Sequence, residues 1–368
     1  VMEAGGGAGA EAAAPGAPPA SPGPRASGRL RAQGRGAGGG DAGRVDLVPG
    51  GSIAPERPAP GWFMNPENPA GTPGRGWTDR NWLVSRCHVG DAGAAAGASP
   101  RGGEGGRGCR SGGFGPLRQL DLQLVQPMRG FGTHCDLDME VLTYVVEGRL
   151  AHRDATGREA TLLPGGIQCV TGGTGAYHSE FNPAHAAPLR QVRLHVLPRG
   201  KCLEPKYGAS QAFRRGCPAH KNRWVHLAGD AQAESRGGSP PPGPQAGAAA
   251  AAGGGPLLGG PPSPEGEPFA GSPPAAIQQD CNVFVCDLDA GGRVPIEVRA
   301  GRQVYMVCLD GAGALGGLPA QRAKGQLAEA AAGLEENDGA RLYGPLSNVY
   351  IEAGPGGLHV LCCEVSQG

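Results

Sequence analysis

Two short runs of the sequence pair metal-ligating side chains two residues apart. His134-Cys135-Asp136 offers an imidazole and a carboxylate, and His178-Ser179-Glu180 offers the same pair further along. Successive side chains of a strand point to opposite faces, so each pair shares one face while Cys135 turns away from it. Two such strands side by side would bring two imidazoles and two carboxylates to one point. That borderline-hard set suits Fe(II), Mn(II), Ni(II) or Zn(II) better than a thiolate site would. Two carboxylates would also offset the charge of a divalent cation inside a protein, where an uncompensated ion is costly. His134, Asp136 and a distant His178 match the two-histidine-one-carboxylate pattern of non-haem Fe(II) oxygenases. Glu140 lies at even spacing from Asp136, and Asn182 continues the alternation after Glu180, so both are expected in the pocket beside the ligands.

The elements that must position these residues read as short strands. Residues 140–147 are rich in β-branched and aromatic side chains and close on Gly148. Residues 150–154 and 159–163 flank Ala155-Thr156-Gly157 as a hairpin, and Pro164-Gly165-Gly166 turns the chain into a further strand at 167–170. Gly172-Gly173-Thr174-Gly175 superficially resembles a phosphate loop, but no Lys-Ser/Thr or helix start follows, so it reads as a β-turn. In 189–197, Val192, Leu194 and Val196 share one face while Arg193 and His195 share the other. A second block repeats the style, with strands at 281–288, 294–298, 303–309, 348–352 and 358–365. The Ala-rich 326–334 has a helical composition, bounded so tightly by Gly325 and Gly333 that it reads as a loop elaboration. Many short strands joined by Gly and Pro turns predict an all-β fold, an antiparallel barrel or sandwich.

Of the 368 residues 69 are Gly and 36 are Pro, a proportion typical of low-complexity sequence and one that argues against a single compact domain. The excess is local. Residues 1–60 hold few large apolar side chains and read as a disordered tail, 90–113 as a Gly-rich insertion, and 230–275, with Pro240-Pro241-Pro242, as a disordered linker. What remains is a first folded unit over 61–229 and a second over 276–368. Thirty-three basic and 33 acidic side chains cancel, so no positive field exists to gather phosphates or an anionic lipid surface, and neither nucleic acid nor membrane is an expected partner. No apolar run is long enough to span a bilayer. Eleven cysteines without paired spacing read as reduced thiols, which predicts a cytoplasmic or nuclear protein. Val1 precedes Met2, so the true start can lie elsewhere, and an Ala- and Arg-containing organelle transit segment is compatible with this end.

An ordered set of motifs makes the first block more specific. Phe114-Gly115-Pro116-Leu117-Arg118, Gly130-Phe131-Gly132-Thr133-His134, Met139-Glu140, Thr143-Tyr144-Val145, Glu147-Gly148, His152-Arg153-Asp154 and His178-Ser179-Glu180-Phe181-Asn182 resemble the pirin family of the cupin superfamily. Trp77 to Ser85 is similar to the strand that opens pirin domains, and the second block resembles, more loosely, the metal-free second cupin of bacterial pirin-like proteins. The resemblance implies two cupin barrels of jelly-roll type, the first binding one divalent metal and the second degenerate. It also implies the ligand order: His134 in the first position, His178 in the third and Glu180 in the fourth. The second position, a histidine in the family, is Asp136 here, and a carboxylate in place of an imidazole favours a harder ion. Fe(II) is therefore favoured, with Mn, Ni or Zn as alternatives.

Some pirin-like proteins degrade quercetin with dioxygen, and others act as redox-sensitive transcriptional co-regulators. The resemblance thus implies either a dioxygenase for a small flavonol-like aromatic, with Glu180 as general base, or a metal-bound regulator that contacts a protein partner. A monomer is expected in both cases. His152 belongs to the family motif, but it lies in a hairpin before Asp154 and reads as a surface residue or one beside the ligands rather than a ligand itself. His88, His185, His195, His220, His226 and His359 have no partner at ligand spacing and read as ordinary surface or satisfied histidines.

Overall fold

The protein is described here from a computed structural model that covers residues 43–56, 83–90, 113–232, 273–318 and 330–367. The described chain is built almost wholly of strands, as the turn-rich sequence predicts, and no helix in it is long and apolar enough to cross a membrane. The tail before residue 43, residues 57–82 (among them Trp77 to Trp82), the insertion at 91–112 and the linker at 233–272 lie outside the described residues.

Two sheets make the first barrel. The larger contains β2 (Leu83–Val89), β3 (Leu117–Val125), β5 (Glu140–Glu147), β8 (Ile167–Thr171), β10 (Leu189–Val196) and β11 (Lys206–Ser210), in the order β11-β8-β5-β10-β3-β2. The smaller contains β4 (Gly130–Asp136), β6 (Leu150–Asp154), β7 (Glu159–Leu162) and β9 (Ala176–Phe181), in the order β4-β9-β6-β7. At one end of the barrel Leu83, Val125, Phe131, Val145, Leu150, Leu162 and Leu189, drawn from both sheets, form a small apolar core.

The larger sheet inverts the usual barrel pattern. On β10 the apolar residues Val192, Leu194 and Val196 face outward into a core shared with the second barrel, where they meet Val283, Val285, Val307, Leu361 and Val365. Arg193, from the opposite face, reaches Glu180 on the facing sheet. The apolar outer face is stable because another sheet covers it, and this frees the interior to be polar. The second barrel has the opposite arrangement. Among the described residues its nine strands, β13 (Ala275–Ile277) included, form one sheet in which β14 (Cys281–Leu288), β16 (Arg302–Leu318) and β19 (Leu346–Ser366) are central. Trp224, Phe284, Leu288, Ile296, Val304, Met306, Leu342 and Ile351 form a separate apolar core within it, so it offers an ion no polar pocket there.

Four expectations need correction. Residues 44–48, assigned to a disordered tail, form β1 (Arg44–Val48), which pairs with β18 (Gly339–Tyr343) and buries Val45 in the second barrel. Residues 224–230, assigned to the first unit, form β12 (Trp224–Asp230), which pairs with β14 of the second. The Ala-rich segment is helical in composition but ends as β17 (Ala330–Glu335), paired with β16, because Ala332 and Leu334 bury one face at a period of two. Residues 319–329 lie outside the described residues. The two strands expected at 348–352 and 358–365 are one, β19, whose first half pairs with β15 (Arg293–Val298) and whose second half pairs with β14.

Candidate metal centre

The ligand pairs sit where strand alternation puts them. β4 and β9 are antiparallel neighbours, with His134 directly opposite His178 and Asp136 opposite Ala176. The register is irregular between Phe131 and His134, a bulge that re-aims the side chains beyond it. Gly130 permits the close approach of the two strands, since a Cβ there would stand 2.2 Å from the Glu180 carbonyl oxygen. The Gly172 to Gly175 segment is the predicted turn, closed by the Gly175 amide donating to the Gly172 carbonyl at 2.8 Å.

The two imidazoles are oriented for metal binding. His134 Nδ1 lies 2.9 Å from the Gly132 carbonyl and His178 Nδ1 lies 3.3 Å from the Ala176 carbonyl. A carbonyl only accepts, so each Nδ1 carries the proton and each Nε2 keeps its lone pair. The ring centroids are 4.4 Å apart, and Asp136 Oδ2 lies 3.5 Å from His178 Nε2 and 3.9 Å from His134 Nε2. Among the described residues these three side chains are the group of potential ligands that converge on one point, their donor atoms all within 4.8 Å of one another. Burial, and then the charges of Arg193 and His178, lower the pKa of His134, which keeps its ring neutral as a ligand must be.

The donor set fits a divalent cation. Asp136 Oδ2 and His178 Nε2 are buried, face each other and make no hydrogen bond. Lone pairs turned toward one another without a proton between them are costly, and a cation held by both relieves the cost.

Glu180 stands apart from this cluster. It is fully buried, its Oε2 accepts from Arg193 Nη1 at 2.7 Å, and its Oε1 accepts from the Gln168 side-chain amide. Burial pushes its pKa up, but the opposing charges, Arg193 foremost, bring it down to about 2. Arg193 is 5% exposed, its Nε donates to His195 Nε2 at 3.3 Å, and its guanidinium lies 4.8 Å from the centre of the Phe131 ring. The structure therefore brings together three of the four residues expected to be ligands and holds the fourth in an ion pair.

The two residues expected in the pocket beside the ligands lie elsewhere. Glu140 shares the outward face of β5 with Leu142 and Tyr144 and accepts from Thr171 Oγ1 at 3.1 Å and the Gln278 amide at 3.3 Å. The even spacing from Asp136 does not hold because residues 137–139 break the strand, Asp138 taking φ 46°, and the chain crosses to the other sheet. Asn182 lies past the end of β9, where its amide donates to the carbonyls of Val125 and Ala187 and its oxygen accepts from the Ala184 amide. It braces a loop. Cys135 points away from the ligands, as alternation predicts, with Sγ 3.8 Å from the Asp136 carbonyl.

His152, singled out in the sequence only as part of the family motif, completes the site together with Tyr207, Tyr177 and Arg158, which had not stood out. His152 is buried, stacks on His178 at 5.4 Å and packs at a tilt of 34° against Tyr207 at 4.5 Å, and neither of its ring nitrogens makes a hydrogen bond. Burial lowers its pKa to about 4. Tyr207 donates to Gln168 Oε1 at 3.3 Å and carries the Arg158 guanidinium 5.1 Å above its ring. A cavity of about 370 Å³ opens on this stack, lined by His152, His178, Tyr177, Tyr207, Arg158 and Val170 among others. Gln168 and Arg193 could have been found from the alternation of β8 and β10, had the polar face been recognised as the interior one.

Comparisons with known proteins bear on the family and the fold. The sequence model of the family described as Pirin matches residues 114–196. The quercetin 2,3-dioxygenase of Escherichia coli strain K12 is 37% identical over 95 residues, which are 26% of this chain and 41% of that protein. The chain thus matches about two-fifths of the length of that curated relative. Among solved structures, YhhW from Escherichia coli has a TM-score of 0.56 at 17% identity, covering 88% of this chain and 98% of that one. The structure described as bacterial pirin YhhW in complex with nickel(II), from the same organism, has a TM-score of 0.55 at 17% identity, covering 88% and 100%. At this identity the likeness establishes the fold.

Proposed function

Because this chain belongs to the pirin family of cupins, we propose that it is a metal-dependent dioxygenase that acts on a flavonol-like, quercetin-type aromatic in the cavity beside His152, His178 and Tyr207. The observation that carries the reading is the convergence of His134 Nε2, His178 Nε2 and Asp136 Oδ2 next to a cavity of about 370 Å³. That volume lies in the usual range for a small-molecule site. Two imidazoles and one carboxylate form the donor set of non-haem Fe(II) oxygenases, which favours Fe(II) here, and the nickel(II) complex of the Escherichia coli pirin makes nickel the first alternative.

When bound, the ion would supply Lewis acidity and an open position for a substrate oxygen or dioxygen. The protein groups supply the rest. Tyr207 and the exposed Tyr177 give the cavity two aromatic rings, so the few aromatics of the chain include two at its walls. Arg158, stacked on Tyr207, places a cation at the rim where it would attract a phenolate-bearing substrate. His152 stays neutral at pH 7, and its ring nitrogens make no hydrogen bond within the protein, Nε2 lying 4.0 Å from Asp154 Oδ2, so that one of them can accept a hydrogen bond from a substrate hydroxyl. Glu180, to which the resemblance assigns the role of base, is occupied on both oxygens by Arg193 and Gln168.

The test is oxygen uptake with quercetin after anaerobic reconstitution with Fe(II), Ni(II), Mn(II) or Zn(II) in turn. Uptake with at least one metal, lost in His134→Ala and His178→Ala, is expected. No uptake with any of them would favour the metal-bound regulator instead.

A further inference from the structure

Arg193 has a relationship to the centre that the ligand order implied by the family resemblance does not contain. It is buried inside the first barrel, and three groups hold it: the Glu180 carboxylate at 2.7 Å, His195 Nε2 at 3.3 Å and the Phe131 ring at 4.8 Å. Its neighbours along the strand, Val192 and Leu194, are fixed in the core between the barrels, so its backbone cannot follow a moving partner. Gln168 holds the second oxygen of Glu180 and is itself held by the Tyr207 hydroxyl. Asp136 Oδ2, in contrast, is buried and has no hydrogen bond.

We propose that in this protein Arg193 and Gln168 withdraw Glu180 from the ion, and that Asp136 replaces it as the one carboxylate ligand beside His134 and His178. The proposal rests on the metal-binding reading above. The physical reason is charge. If Glu180 moved to the ion it would take from a buried guanidinium the carboxylate that pairs with it at 2.7 Å, and breaking a buried pair in this way is strongly unfavourable. Asp136 makes no such demand, because its Oδ2 makes no hydrogen bond and already faces the two imidazoles that would share the ion. Arg193 is then a positioning residue: it keeps the centre at two imidazoles and one carboxylate and so leaves more of the ion's positions open to substrate.

Cobalt(II) serves as the probe, because its visible absorption reports coordination number and its affinity is measured without any turnover. Glu180→Gln alone would leave an unpaired cation beside the centre, so the decisive variant is R193M/E180Q, which removes both charges of the pair together. This variant is expected to bind Co(II) within about threefold of wild type and with the same spectrum, whereas Asp136→Asn weakens binding by about 10- to 100-fold. Arg193→Met alone releases Glu180 and is expected to tighten binding about tenfold and change the spectrum toward a higher coordination number. Circular dichroism establishes that each variant is folded. The proposal is overturned if R193M/E180Q loses as much affinity as D136N, or if R193M leaves both affinity and spectrum unchanged. Wild type that takes up no Co(II) at all would instead overturn the metal reading itself, and the proposal with it.

Discussion

Tyr144 on the first barrel and His359 on the second are joined by a 3.1 Å hydrogen bond in the core between them. The nearby carboxylate of Asp310, 3.8 Å from His359 Nδ1, favours the proton on that nitrogen, so the tyrosine hydroxyl donates to Nε2. A second pair has the reverse polarity of barrels: Tyr305 on the second barrel donates to the His88 carbonyl of the first at 3.2 Å. Each barrel thus lends the other one tyrosine hydroxyl. These polar pins lie within an otherwise apolar interface, where they fix the relative placement of the sheets that the apolar side chains alone would leave loosely specified. The placement matters for the centre, because the same sheet carries Arg193 and Gln168 on its other face.

Tyr144→Phe removes one pin while keeping the ring. It leaves His359 Nε2 buried without a donor, which should cost about 1–3 kcal/mol. Urea unfolding is expected to show a lower midpoint with an unchanged slope. An unchanged midpoint would mean that the bond adds nothing to docking of the barrels.

Glu140 makes the same interface sensitive to pH. Burial raises its pKa to about 7, against the opposing pull of the Gln278 amide and the Thr171 hydroxyl, while the unfolded chain titrates near 4.5. Between those values the folded protein holds a proton that the unfolded chain has released, so the unfolded state binds fewer protons and stability falls as pH rises. The neutral form's contribution is complete below about pH 4.5 and is lost as pH rises through about 7. Glu140→Gln mimics the neutral form, and it is expected to be more stable than wild type at pH 8 by roughly 1–3 kcal/mol, with little difference at pH 4.5. Urea midpoints at the two pH values measure this. A gap independent of pH would rule out ionisation of Glu140 as its source.

How far the sequence could be read depended on the range of the interaction. Strand edges at Glu140–Glu147, Leu150–Asp154 and Cys281–Leu288 were legible because β-branched runs and Gly turns are local signals. The shared face of His134 and Asp136 was legible for the same reason, since alternation holds inside one strand. It failed for Glu140, because no periodicity survives a turn that moves the chain to another sheet. The two faces of β10 were separable, but which one is interior was not. That depends on a second barrel covering the apolar side, a fact contained in residues far away in the chain. β1 escaped notice because five residues beside a Gly-rich run bury too little alone to look like a strand, and it gains its stability from β18.

Metal binding should appear as stability as well as affinity. An ion that binds only the folded protein stabilises it by about 2.7 kcal/mol at a concentration one hundred times its Kd. Wild type is expected to gain this much with Ni(II), and His178→Ala to gain nothing, in urea titrations with and without the ion. Equal stabilisation of both proteins would place the bound ion somewhere other than the β4–β9 ladder.

His152 separates holding the centre from meeting the substrate. Its ring fills the space between His178 and Tyr207, while its nitrogens make no hydrogen bond within the protein. His152→Phe keeps a ring in the stack and removes the nitrogens. Affinity for Ni(II) should therefore stay within about threefold, while kcat/KM for quercetin falls by about 10- to 100-fold, the loss of one hydrogen bond to a reacting group. His152→Ala empties the stack as well, lets the His178 ring turn, and is expected to weaken both. If His152→Phe oxidised quercetin at the wild-type rate, the nitrogens would have no part in substrate binding, and the ring would serve only to keep His178 in place.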